Sequence, residues 1–237
     1  MTKLLTWNLL HGGGPRRMPL IALSLLEHRA DVVVLTEFRR TTGGQIAGVL
    51  ADHGLMHQFS TEPPKGCNGI LIASRAPVRP VPPAASPSIS RRLAEVAIDD
   101  FGFTLAGLHI PPDGSGSARD AVFQATVDAA RRRQEEAFIL LGDFNAGRHR
   151  VDEEGETFTC TRLLGEIATY GYVDAWRSCH PETREFTWFS HEGRGFRIDH
   201  AFLSRPLSAR LRTCELSHRE RESGLSDHSA LVLTLGG

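Results

Sequence analysis

The feature that most restricts the fold is a series of short apolar runs, each ending on or beside one polar residue. Leu4-Leu5-Thr6-Trp7 ends at Asn8, and Val32-Val33-Val34-Leu35-Thr36 ends at Glu37. Phe103 to Leu108 ends at His109, and Phe138-Ile139-Leu140-Leu141 leads through Gly142 to Asp143 and Asn145. Asp199 and His200 sit inside the run that begins at Phe196, and Asp227 and His228 precede Ser229-Ala230-Leu231-Val232-Leu233. Short runs that are rich in β-branched residues and lack polar alternation read as strands buried on both faces.

Helical spacing of apolar residues predicts helices over 18–29, 43–53, 118–135 and 160–170. Strands are expected over 3–9, 31–36, 69–74, 93–99, 102–109, 137–141, 172–176, 186–190, 197–203 and 229–235. Glycines 12–14 followed by Pro15 mark a loop, as do 111–117 and 146–157. Residues 76–90 hold Pro77, Pro80, Pro82, Pro83 and Pro87 and are expected to be loop or edge rather than helix. Helices alternate with strands early and strands dominate late. That order predicts one α/β domain over residues 1–237 with more than one sheet layer.

Composition removes several function classes. The 27 basic and 28 acidic residues leave a net charge of −1, which excludes a uniformly basic nucleic-acid coat. Local arginine patches remain, at Arg39-Arg40, Arg91-Arg92, Arg131 to Arg133, Arg148 and Arg150, and only Lys3 and Lys65 are lysine. The four cysteines form no CxxC pair, so neither a zinc ribbon nor a disulfide scaffold is expected. No signal peptide is expected from the first residues, and no run approaches the roughly 18 apolar residues of a membrane span. A cytoplasmic monomer is the resulting expectation.

Singly, each strand-end residue has an ordinary role as a turn former, cap or solvated end. Together they offer carboxylates, histidines and asparagines but no thiolate, which is the donor chemistry of a hard, oxygen-bound cation such as Mg²⁺. Such a cation suits phosphoryl chemistry, where it offsets charge on the phosphate.

The order Trp7-Asn8, Glu37, His109-Ile110-Pro111, Gly142-Asp143-Phe144-Asn145, Arg197-Ile198-Asp199-His200 and Ser226-Asp227-His228 resembles the endonuclease/exonuclease/phosphatase superfamily. The resemblance implies a four-layer α-β-β-α sandwich, two mixed β-sheets packed face to face, as in deoxyribonuclease I. It implies hydrolysis of a phosphoric ester with Mg²⁺ or Mn²⁺. By similarity, Glu37 holds the metal with Asn8 and Asp227 nearby, and Asp199 orients His228. Either Asp143 or His228 serves as the base, Asn145 positions phosphate or water, and His109 contacts the phosphate or leaving group.

The C-terminal half resembles the exonuclease III and abasic-site endonuclease branch, through Val173-Asp174 with Arg177, Pro181 with Thr183, Thr187-Trp188 and Arg197-Ile198-Asp199. In that reading Asn8, Trp188 and Arg197 contact substrate, and Trp188 lines a pocket for a base-free sugar. Two positions depart from the branch. His109 stands where it usually carries tyrosine, and Phe38-Arg39 follow Glu37 where it usually carries Thr-Lys. The expectation is a Mg²⁺-dependent phosphodiesterase or nuclease acting on DNA. The alternatives are a phosphohydrolase of a small or lipid phosphate ester in the same fold, and a non-catalytic binding module.

Overall fold

The computed structural model describes residues 1–82 and 87–237. The chain opens with β1 (Thr2–Asn8), α1 (Gly14–Glu27), β2 (Val32–Phe38), α2 (Arg40–Asp52), β3 (His57–Ser60) and β4 (Gly69–Ser74). It continues through β5 (Arg79–Pro80), α3 (Pro87–Ser90), β6 (Leu93–Ile98), β7 (Phe103–His109), α4 (Ser117–Arg132) and β8 (Phe138–Asp143). Next come α5 (Thr161–Thr169), β9 (Val173–Asp174), α6 (Ala175–Cys179), β10 (Trp188–Phe189) and β11 (Gly195–Phe196). The last elements are β12 (Asp199–Leu203), α7 (Arg205–Ser208), β13 (Leu211–Ser217), α8 (Arg219–Glu222) and β14 (Ala230–Leu235).

Two six-stranded sheets result, ordered β13-β14-β1-β2-β4-β3 and β5-β6-β7-β8-β12-β9. Each is mixed: β1 and β2 run parallel in the first, β7 and β8 in the second, and the other pairs are antiparallel. The pleat sends alternate residues to opposite faces. Leu4, Val32 and Val34 point to a core shared with Ile139, Leu141 and Leu203 of the other sheet. Their chain neighbours Leu5, Val33 and Leu35 pack against Ile21 and Leu25 of α1 and Ile46 and Leu50 of α2. On the far side, Leu140 and Phe202 pack against Phe123 and Val127 of α4 and Leu164 of α5. The layers are therefore helices, sheet, sheet, helices, and the apolar runs lack alternation because both faces of each central strand are buried.

Several local expectations change. Helix α1 starts earlier than the apolar spacing implies, because Gly14-Pro15 opens it and proline is tolerated where a helical N–H has no partner. Helix α2 likewise begins at Arg40 and contains Gly43-Gly44. The proline-rich stretch is not all loop: Arg79–Pro80 pairs with the edge of β6, and Pro87 opens the one-turn α3. Pro83 lies outside the described residues. In 172–176 only Val173–Asp174 is strand, because the Asp174 side chain accepts from Arg177 N at 3.1 Å and caps α6. Among the described residues no helix is long and apolar enough to cross a membrane.

Candidate active site

Strand direction gathers the polar residues on one rim. The parallel strands β1 and β2 both end there, with Asn8 beside Thr36. In the other sheet β7 and β8 end there in register, His109 beside Asp143. Strand β12 runs the opposite way and starts there, with Asp199 beside Asp143. His228 lies two residues before β14, and Trp7 Nε1 donates to its carbonyl oxygen at 3.0 Å. Ser226 Oγ, bonded to Asn8 O at 2.6 Å, ties the same turn to the end of β1.

Two backbone devices aim the side chains. The pairing of β2 with β4 shifts register between Leu35 and Phe38, and Glu37 inside that bulge takes φ +52°. A bulge turns a side chain out of the pleat, and a left-handed non-glycine residue is strained, so the fold holds Glu37 against its preference. At Gly142 a Cβ would come within 2.0 Å of Leu108 O, so only glycine lets β8 lie close enough to β7 to set Asp143 beside His109.

Asp143 is the hub. Its Oδ2 accepts from Asn8 Nδ2 at 2.9 Å and Asn145 Nδ2 at 3.2 Å, and its Oδ1 accepts from Asn145 N at 2.8 Å. Burial, and then the charge of Asp199, push its carboxyl up to about 7, against the pull of His228 and the two asparagines. His228 Nδ1 lies 2.8 Å from Asp199 Oδ2. Burial disfavours that imidazolium, but the Asp199 carboxylate, aided by Asp143 and Asp227, outweighs it and raises His228 to about 10. His109 moves the other way, down to about 3, through burial and then the Arg92 guanidinium, whose Nη1 lies 3.1 Å from His109 Nδ1.

Asp143, His109, His228 and Arg92 line a cleft of about 560 Å³. The same cleft has an aromatic lining: the Trp188 and Phe196 rings are 5.7 Å apart and the Phe196 and Phe158 rings 5.6 Å. Trp188 Nε1 donates to Asp227 Oδ2 at 3.1 Å, which ties this aromatic lining to the carboxylate beside His228. The cleft thus brings together Asn8, Glu37, His109, Asp143, Asn145, Trp188, Asp227 and His228, with Asp199 directly behind His228.

Arg197 is not in it. Its side chain is 0% exposed and bonded at 2.6 Å to both Asp152 and Asp174, so its guanidinium has no donor turned to substrate. The substrate contact expected of Arg197 is corrected to a buried ion network. Among the cleft residues that sequence reasoning did not place in the site are His11, Asn68 and Arg92. His11 sits in the glycine-rich loop at φ +58°, and both its backbone N and its Nδ1 approach Glu37 Oε2, at 2.6 and 2.8 Å. The arginine pair Arg91-Arg92 was the only signal for any of them.

The donor set fits a divalent cation. Asp143, Asp199 and His228 each bring a ligand atom within 4.8 Å of the others, and Asp199 Oδ1 is buried without a hydrogen-bond partner. A buried carboxylate oxygen left unpaired is costly unless a cation or proton meets it. Glu37 and Asp227, expected to hold the metal with Asn8, line the same cleft but are not in that converging group.

A two-sheet α/β hydrolase of phosphoric esters is the class that this fold and its chemistry define. The model of the Endonuclease/Exonuclease/phosphatase family matches residues 5–228, and the chain belongs to that family. Its fold is similar to that of the 3′ phosphatase NExo from Neisseria bound to a product DNA hairpin, with TM-score 0.83, 21% identity and full coverage of both chains. It is similar to an AP endonuclease from Archaeoglobus fulgidus, with TM-score 0.82, 20% identity and 99% of each chain covered. In sequence it is 27% identical over 165 residues to an uncharacterized 149 kDa protein of transposon TX1 from Xenopus laevis. That match covers 64% of this chain and 12% of the relative, so the chain spans a small part of that protein.

Proposed function

We propose that residues 1–237 act as one catalytic domain, a divalent-metal-dependent phosphodiesterase whose substrate is DNA, with the chemistry of an exonuclease or abasic-site endonuclease. The observation that carries this reading is the mixed lining of one cleft. Asp143, His109 and His228 line a cleft of about 560 Å³ together with the paired rings of Trp188 and Phe196. That is room for one nucleotide unit, with its phosphate on the polar side and its sugar against the rings. The structural relatives that act on DNA share the fold and support the same choice.

In this reading Glu37, with Asn8 and Asp227, would hold Mg²⁺ or Mn²⁺ in the cleft that all three line. A bound divalent cation offsets charge on the phosphoryl oxygens. The pKa values of Asp143 and His228 are driven apart, and that separation assigns their roles. Asp143, raised to about 7, is poised to take the proton of the attacking water, with Asn8 and Asn145 holding its two oxygens in place. His228, raised to about 10, is an imidazolium at neutral pH and donates to the phosphoryl oxygen as negative charge grows there.

The test is an end-labelled duplex carrying one abasic-site analogue, incubated with protein and Mg²⁺. Incision that EDTA and His228→Ala both abolish supports the reading. A folded, metal-binding protein that leaves the duplex intact yet hydrolyses a small phosphodiester moves the function to the alternative ester substrates.

A further inference from the structure

Two of the three histidines that line the cleft have opposite partners. His228 turns Nδ1 to a carboxylate, whereas His109 turns Nδ1 to a guanidinium. Arg92 immediately precedes β6, and His109 ends β7. The ladder between these strands pairs Leu93 with Leu108 and continues one step further, where His109 N donates to Arg92 O at 2.9 Å. The antiparallel register therefore fixes Arg92 directly beside His109, and Arg92 Nη1 reaches His109 Nδ1 at 3.1 Å.

A guanidinium has five N–H donors and no acceptor. The nitrogen that it meets must offer a lone pair, so Nδ1 is bare and the ring proton sits on Nε2. That N–H turns to the cleft, 3.8 Å from Glu37 Oε1 and 3.8 Å from Asp143 Oδ2, beyond hydrogen-bond reach of either.

We propose that Arg92 is a positioning residue for the hydrolysis: its guanidinium locks His109 as the neutral Nε2–H tautomer and so aims one hydrogen-bond donor at the phosphoryl oxygen entering between Glu37 and Asp143. The proposal rests on reading the cleft as a phosphodiester hydrolase. It gives this chain a donor at the position where relatives of the exonuclease III branch carry a tyrosine hydroxyl. The same pairing recurs in the buried network, where Arg197 Nη1 lies 3.1 Å from His200 Nδ1 and His200 Nε2 donates to Ala146 O at 2.8 Å.

The experiment reads the imidazole directly. Uniformly ¹⁵N-labelled protein without substrate is examined by two-bond ¹H–¹⁵N correlation near neutral pH, with His109→Asn to assign the signals. Wild type is expected to show an unprotonated Nδ1 and a protonated Nε2. Arg92→Met should lose that pattern, and its kcat on a phosphodiester should fall about tenfold or more, within the range for a misaimed transition-state donor, with KM changed far less. Arg92→Lys should restore both in part. Arg92→Glu, which copies the partner of His228, should protonate Nδ1 and serves if Arg92→Met misfolds. An Nε2–H pattern that persists in Arg92→Met and Arg92→Glu overturns the proposal, as does a raised KM with unchanged kcat, which would make Arg92 a phosphate clamp. If the tautomer follows Arg92 but the wild-type protein hydrolyses no phosphoric ester, the catalytic role falls with the reading of the cleft. The intact imidazole signature then tells that failure from a failure of the tautomer lock.

Discussion

Nδ1 of His228 lies 2.8 Å from Oδ2 of Asp199, and both side chains are shut from solvent, at 7% and 1% exposure. In a site this dry the carboxylate fixes which face of the ring turns to the cleft and keeps the ring charged. His228→Ala is expected to lower kcat about 10²- to 10⁴-fold, the usual worth of a proton donor or acceptor in the transition state. Asp199→Asn keeps the shape but removes the charge, and should lose a large part of the same factor. Steady-state turnover on a phosphodiester, with circular dichroism to verify the fold, checks both. Turnover near wild type in His228→Ala would remove that residue from the reaction.

The same ion pair makes stability depend on pH. The folded chain holds the His228 proton to about pH 10, whereas an unfolded histidine releases it near about 6.5. The contribution is therefore complete below about pH 6.5 and is lost as pH rises through 10. Asp143 acts in the same direction. Its folded carboxyl titrates near 7 rather than near the unfolded value of about 4, so the cost of ionising it grows across that interval. Urea unfolding of wild type and His228→Gln in EDTA, at increasing pH, should show the wild-type advantage shrinking toward pH 10. A gap that widens with pH contradicts the assigned charge of His228.

Glu37 tests the metal reading. Its strained backbone and its place in the β2 bulge have no packing purpose that glutamine could not serve, because the side chain lines the cleft rather than the core. Glu37→Gln preserves size and hydrogen bonding and removes one negative charge. The Mn²⁺ concentration for half-saturation, followed by calorimetry without substrate, should rise about tenfold or more, since metal affinity tracks ligand charge. An unchanged titration would assign the cation to the Asp143, Asp199 and His228 group instead.

Trp188 separates a DNA enzyme from one acting on small esters. Its ring packs on Phe196 in the cleft, and its indole N–H holds Asp227. Trp188→Ala should cost an abasic-site duplex about 1–3 kcal/mol of binding to the aromatic wall while costing a small aryl phosphodiester far less. Trp188→Phe should retain most of the difference. Equal losses on both substrates would make the ring a support for Asp227 alone.

The residues legible in the sequence share one physical cause. Asn8, Glu37, His109 and Asp143 each interrupt a run that is apolar because its strand is buried on both faces, so each stands out against its neighbours. Strand β13, Leu211–Ser217, was not legible: it is an edge strand whose Arg212, Thr213 and Glu215 are exposed, which leaves no pattern to read. The one-turn helices α6, α7 and α8 are too short for a period. Arg92 and Arg197 were obscured for another reason. An arginine declares its role through its partner, and these partners lie 17 and 45 residues away along the chain. Only the β6–β7 register brings Arg92 to His109, and only the fold brings Asp152 to Arg197.

Arg197 gives the sharpest contrast between an arginine that holds the fold and one that lines the cleft. Its Nε and Nη2 donate to Asp152 Oδ1 at 3.0 and 2.6 Å, and its Nη1 and Nη2 donate to the two oxygens of Asp174 at 3.2 and 2.6 Å. The indole of Trp176 lies 4.9 Å beneath it. Burial alone would push Asp174 up, but this guanidinium holds the carboxyl well below the usual range. Arg197→Met removes the cation and leaves two carboxylates buried without it. The expected loss is about 3–5 kcal/mol of unfolding free energy, read from urea denaturation. Combining it with Asp152→Asn and Asp174→Asn should cost less than the three single losses added, because the same ion network is broken only once. Where Arg197→Met is still folded, KM should match wild type, since no donor of Arg197 reaches the cleft. A raised KM with unchanged stability would return Arg197 to the substrate.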